Sequence, residues 1–224
     1  MAEAGSYSEA RTGTWLWPLL VGAILLMMEL ILFVALVPTD WSERVRTTEL
    51  AWLHEGLGAR TANAVVERAE HWYDTLFVAP GLVATSYRIT VPNEDDVQRA
   101  GALAPLATLP LWSWVEGRLE VIWAAFYQAL QRLATLGAWW PFLLLLFVAA
   151  WGDGWVRQRI RQSGFSYASP LAHAYALRGT AILLALVGLM LFLPLPLPAL
   201  GVPWVGVCLA LLVSLTVANA QKRL

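Results

Sequence analysis

Glu29 is the one ionisable residue in the middle of a long apolar stretch of this chain. A carboxylate in that setting can relay a proton, hold an ion or pair with a buried base. The other apolar stretches carry no Lys, Arg or His at their centres, so the simpler reading is a protonated Glu29 hydrogen-bonded to a neighbouring helix. Glu67, Glu70, His71 and Asp74 occupy neighbouring helical positions and in principle suit a divalent ion, but no second histidine stands at ligand spacing. No metal and no cofactor are therefore expected. Arg157, Arg159 and Arg161 form a short basic run in which only Arg157 and Arg161 share a helix face. Three arginines without a wider basic patch would bind nucleic acid weakly and with strong salt dependence, so direct sequence-specific binding is not expected. The nucleophile-elbow, zinc-protease and P-loop patterns are absent, and no apolar stretch contains a histidine. The chain reads as a non-enzyme.

The surroundings of these residues are governed by composition. Of 224 residues, 58% are apolar and 14% charged, with a mean hydropathy of +0.58. Soluble domains sit nearer 45–50% apolar and about 25% charged, so lipid is the expected solvent. The net charge of −1 excludes a generally basic nucleic-acid binder, and a single cysteine, Cys208, excludes an internal disulfide framework. An all-α polytopic membrane protein follows, because hydrocarbon leaves backbone groups no partner outside the helix. Four spans are expected, at residues 15–38, 136–155, 179–198 and 202–220. The first is too long for a signal-peptide core and lacks a basic leader, so it reads as a retained anchor.

Orientation follows the arginines. The segment at 156–178 carries Arg157, Arg159, Arg161 and Arg178, and residues 221–224 add Lys222 and Arg223. Residues 39–131 hold seven arginines against twelve acids. A cytoplasmic N-terminus (1–14), basic hairpin (156–178) and tail (221–224), with residues 39–135 outside, satisfies every loop. In a Gram-negative cell this is the inner membrane, with the outside segment in the periplasm. Trp15, Trp17, Trp41, Trp139, Trp140, Trp151, Trp155 and Trp204 fall at expected span ends, where amphipathic rings favour the headgroup layer.

The outside segment reads as helical. Asp40 and Glu43 suggest a capping box before an apolar repeat at Trp41, Val45, Thr48, Trp52 and Leu53, stopped by Gly56 and Gly58. A second periodic stretch, from Ala62 to Phe77, ends before Pro80-Gly81, and a loop containing Asn93-Glu94-Asp95-Asp96 follows. Trp112, Val115, Leu119, Ile122, Trp123, Phe126, Leu130 and Leu133 make an amphipathic stripe interrupted by Glu116, Arg118, Glu120 and Arg132. That helix packs on the other two or lies on the bilayer. Pro141 either opens the second span or kinks one long helix. Gly206, Ala210, Ser214 and Ala218 stand four apart and allow close helix approach, with a shorter version at Ala181, Ala185 and Gly188. Mutual packing of the last two spans is the simpler reading; docking of another membrane subunit is the alternative.

Trp151-Gly152-Asp153-Gly154, the arginines at 157, 159 and 161, Gly164-Phe165-Ser166-Tyr167 and His173-Ala174 form the most characteristic run. With the layout of one span, a long outside segment and three further spans, it resembles the membrane protein family of integrating conjugative elements. Tyr175 here follows the histidine rather than preceding it, and Arg178 stands where a basic pair often closes the motif. The resemblance implies an accessory or scaffold subunit of a conjugative type IV secretion apparatus, near the coupling ATPase. Asp153 would pair with Arg157, and His173 would serve either hairpin packing or partner contact. The alternatives are a small ion- or proton-coupled transporter using Glu29, and an exclusion-type membrane regulator acting through the outside helices.

Overall fold

Proline and glycine set most of the helix ends. A computed structural model describes residues 10–92, 110–163 and 169–220, in which every regular element is helical. In order these are α1 (Ala10–Leu36), α2 (Thr39–Leu57), α3 (Ala59–Tyr73), a π-helical turn (Asp74–Val78), α4 (Leu82–Thr90), α5 (Pro110–Ala138), α6 (Trp140–Ser163), α7 (Pro170–Phe192) and α8 (Gly201–Ala218). The acidic run at 93–96, the motif residues Gly164–Tyr167 and the basic tail lie outside the described residues. Gly58 and Gly81 take φ of +77° and +76°, which a side chain would strain, and they divide α2 from α3 and the π turn from α4. Pro110 opens α5 at a position whose missing N–H has no helical partner.

The chain divides into two compact units, Met1–Met28 with Ala138–Met190 and Leu200–Leu224, and Glu29–Gly137 with Leu191–Ala199. In the first, α6 and α8 are the principal packed pair. Gly154 makes their approach possible: a Cβ there would lie 2.7 Å from the Ser214 carbonyl oxygen and 2.9 Å from Val217 Cβ. Gly206 abuts Leu143. Gly206, Ala210, Ser214 and Ala218 are all buried. The small-residue stripe thus faces α6, which corrects the expectation that it packs on the preceding span. Helix α7 meets α8 elsewhere, Gly179 against Leu212. It also meets α1, where Ala185 lies close to Gly22.

Helices α7 and α8 are long and apolar enough to cross a membrane, and α5 with α6 adds a third crossing if the pair is one broken span. The described part of α1 gives a shorter apolar run, Leu20–Glu29. Leu145, Val148, Ile182 and Leu211 are each more than 60% exposed. Such apolar surface is compatible with membrane association.

Several boundaries depart from the expectations. Helix α7 stops at Phe192, and residues up to 198 are a proline-rich turn, because Pro194, Pro196 and Pro198 deny the backbone alternate donors. Helix α5 breaks at Trp139, leaving Pro141 in the first turn of α6. No capping box opens α2: Pro38 precedes the helix, Asp40 pairs with Arg44 at 2.5 Å, and Glu43 pairs with Arg46 at 2.7 Å. The stretch after Gly81 is not all loop but includes α4.

The second unit buries Val45 and Leu53 of α2, Ala62, Val65 and Ala69 of α3, and Val121, Ala125 and Ala129 of α5. The π turn widens the helix by one residue and brings Phe77 beside Tyr73, Trp123 and Phe126, with ring centroids 5.3–5.6 Å apart. Trp123 donates its indole N–H to Ser86 of α4 at 3.0 Å.

Candidate functional site

The residues singled out in the basic hairpin divide into two sets. The inward set holds the end of α8. Asp153 Oδ2 accepts a hydrogen bond from Ser214 at 2.7 Å, and its Oδ1 accepts from Arg157 Nε at 3.0 Å. One helical turn beyond Arg157, Arg161 reaches Asn219 Oδ1 at 2.5 Å, and Gln158 donates to the Ala220 carbonyl at 2.8 Å. From α7, His173 Nδ1 lies 3.0 Å from the Thr216 carbonyl, a contact that requires a proton on Nδ1. The last carbonyls of a helix have no partner within it, and cations at that end oppose its negative dipole. Arg161 and Gln158 therefore close α8 by supplying donors at its C-terminus.

The outward set is free to meet something else. Arg157 keeps 55% of its side chain exposed despite the pair with Asp153. Arg159 is exposed and stacks on Trp155, 5.1 Å from the ring. Arg178 and Tyr175 are exposed as well. Trp155 and Ile160 add apolar surface among the guanidinium groups. This combination of cations and half-exposed rings suits a protein partner or anionic headgroups.

Sequence reasoning missed a second polar centre, in the other unit. Arg132 of α5 donates to Glu49 Oε1 of α2 through Nη2 (2.6 Å) and Nε (3.1 Å). The same guanidinium donates to the carbonyls of Leu191 (3.1 Å), Leu193 (2.9 Å) and Leu195 (2.7 Å). Glu49 Oε1 in turn accepts from Leu197 N at 2.9 Å, and Trp41 Nε1 donates to the Pro194 carbonyl at 2.7 Å. A proline-rich turn has surplus acceptors and few donors, and a buried guanidinium with its planar fan of N–H groups answers that shortage. Glu29 lies within the electrostatic reach of Arg132, while among the described residues no donor bonds either of its buried carboxylate oxygens. The charge that acts on Glu29 thus comes from the amphipathic helix α5. A readable signal existed: Ser42, Val45, Glu49 and Leu53 recur at helical spacing, so Glu49 belongs to the buried face.

Glu67, Glu70, His71 and Asp74 do not converge, and no group of three or more ligating side chains forms a metal site among the described residues. The arrangement can fix helix ends and present cations.

Compared with known proteins, residues 33–224 match the family described as IncC plasmid conjugative DNA transfer protein DtrJ-like. No curated protein and no solved structure matches.

Proposed function

The chain belongs to the DtrJ-like family of IncC plasmid conjugative DNA transfer proteins, and from that premise we propose that it is a membrane-embedded accessory subunit of the transfer apparatus. The family match covers most of the chain and is the observation that carries the reading. It supports a role in conjugation; the scaffold role is our own step.

In this reading four helical stretches lie in the inner membrane with both termini cytoplasmic. The supporting features are the apolar helices α7 and α8, the arginines on one side and the acidic excess in residues 39–131. The protein acts by contact rather than catalysis. Arg157, Arg159 and Arg178 meet an acidic face of a membrane-anchored partner, most simply the coupling ATPase of type IV secretion. Asp153, Arg161 and His173 keep the helices that carry them in register. No transport role is needed for Glu29, whose carboxylate lies in the field of a guanidinium already engaged in holding the proline-rich turn.

Co-purification from mild detergent tests the proposal. A tagged chain should retain the coupling ATPase, and raised salt should weaken the complex because exposed charges carry the contact. A chain that purifies without any subunit of the transfer apparatus would overturn it.

A further inference from the structure

A pocket of about 440 Å³ opens in the second unit among α2, α3, α4 and α5. That volume lies within the range of small-ligand sites. The proposed function makes no use of it, and the argument for it does not depend on that function.

Its chemistry runs from an acidic mouth to a polar floor. Glu70 and Glu120 are exposed at the outer part, and no ion pair reaches either of them among the described residues. Glu43 also lines the pocket but is neutralised by Arg46, which grips both its oxygens at 2.7 and 3.0 Å. Among the described residues the pocket's one guanidinium is therefore committed, and two carboxylates set the field. Tyr73, Tyr127 and Trp123 supply half-buried ring faces, with Tyr73 set edge-on to the other two. At the buried end, Gln128 is 5% exposed and Ser42 8%, and among the described residues neither Gln128 Nε2 nor Ser42 Oγ has a hydrogen-bond partner. A buried amide or hydroxyl donor left unpaired is costly, so one of each lining a single cavity points to an occupant that supplies an acceptor.

The geometry points to a binding site for an organic cation, an alkylammonium or alkylguanidinium that also carries a carbonyl or hydroxyl. The cation lies between Glu70 and Glu120 against the tyrosine and tryptophan rings, where charge and ring quadrupole act together. The acceptor reaches Gln128 and Ser42. An anion is disfavoured by the two uncompensated carboxylates, and a purely apolar guest would leave the floor unpaired. The same chemistry can come from a free amine or from a basic side chain on a partner protein.

Isothermal titration of the purified full chain in detergent separates these outcomes. Arginine amide probes the free amine, and capped acetyl-Ala-Arg-Ala-amide probes the side chain within a peptide. Acetyl-citrulline amide, which carries neither the guanidinium nor the ammonium of the first, is the neutral control. Saturable binding of either cationic probe, with acetyl-citrulline amide at least about tenfold weaker, is the expected result. Binding of the peptide alone would assign the site to a protein partner, and of arginine amide alone to a small amine. Glu70→Gln with Glu120→Gln should weaken binding by about tenfold or more, with the circular dichroism melt unchanged since both residues are exposed. No saturable heat with either cation, equal binding of acetyl-citrulline amide, or full affinity in the double variant would each overturn the site. None of these outcomes bears on co-purification with the transfer apparatus.

Discussion

Arg132 and Glu49 lie 83 positions apart in sequence and meet at 2.6 Å with side chains only 9% and 5% exposed. A buried ion pair is stable only when its remaining donors and acceptors are satisfied. Here the satisfaction comes from the backbone of residues 191–197, so one pair both joins two helices and shapes a turn that has few donors of its own.

Arg132→Met should therefore destabilise the second unit by about 3–5 kcal/mol, since Glu49 and three carbonyls lose their donor together. Adding Glu49→Leu should recover only part of that loss, because the carbonyls of Leu191, Leu193 and Leu195 stay unpaired. Thermal melts in detergent, followed by circular dichroism, check both variants. A double variant as stable as the parent would show that the turn holds without the guanidinium.

The α6–α8 seam gives a paired comparison two residues apart. Gly154→Ala pushes a methyl into the Ser214 backbone and should cost about 1–3 kcal/mol. Gly152→Ala meets nothing within 4 Å and should be neutral or stabilising by up to about 1 kcal/mol through helix propensity. Melting temperatures of the two single variants should move in opposite directions or only the first should fall.

Much of the helix pattern was legible because apolar spacing and Gly/Pro punctuation act locally. The stops at Gly58 and Pro80-Gly81 need no tertiary knowledge. What stayed hidden depends on long-range pairing. Arg132 looked like an interruption of an apolar stripe, because a charge in sequence carries no sign of whether a carboxylate waits for it 83 residues away. Trp41 read as a span-end ring in the headgroup layer and as part of an apolar repeat, yet its indole N–H serves the Pro194 carbonyl. The residues 193–198 looked like span because leucine and proline both count as uncharged, while only the backbone donors lost at proline end the helix. In the hairpin, the residue types marked a polar cluster but not its division, which depends on which arginines reach the end of α8.

Alkaline titration probes the acidic pocket. Burial, and then the carboxylates of Glu120 and Glu116, push the Tyr87 phenol above its ordinary value of about 10. Burial does the same to Tyr73. A raised folded-state value means the folded chain holds its phenolic protons longer than the unfolded chain. The resulting stability is complete below pH about 10 and is lost as pH rises through the folded values. Absorbance of phenolate should show these tyrosines ionising after the exposed ones. Early ionisation of all tyrosines in the folded chain would contradict the assignment.

A double-mutant cycle on Asp153→Asn and Ser214→Ala should return a coupling of about 1 kcal/mol, the worth of one hydrogen bond to a charged group in a partly exposed setting. Additive losses would mean that Asp153 serves Arg157 alone.

Replacing the three exposed arginines together, Arg157→Gln, Arg159→Gln and Arg178→Gln, and measuring plasmid transfer in a mating assay tests the central claim. Membrane abundance and the melting temperature should match the parent, because Arg161, Lys222 and Arg223 keep basic charge on the same side and the end of α8 is held by Arg161, Gln158 and His173. Transfer should fall by about tenfold or more, the equivalent of ~1.4 kcal/mol of partner affinity. Parental transfer from a stably inserted triple variant would contradict the claim that these arginines are the contact surface.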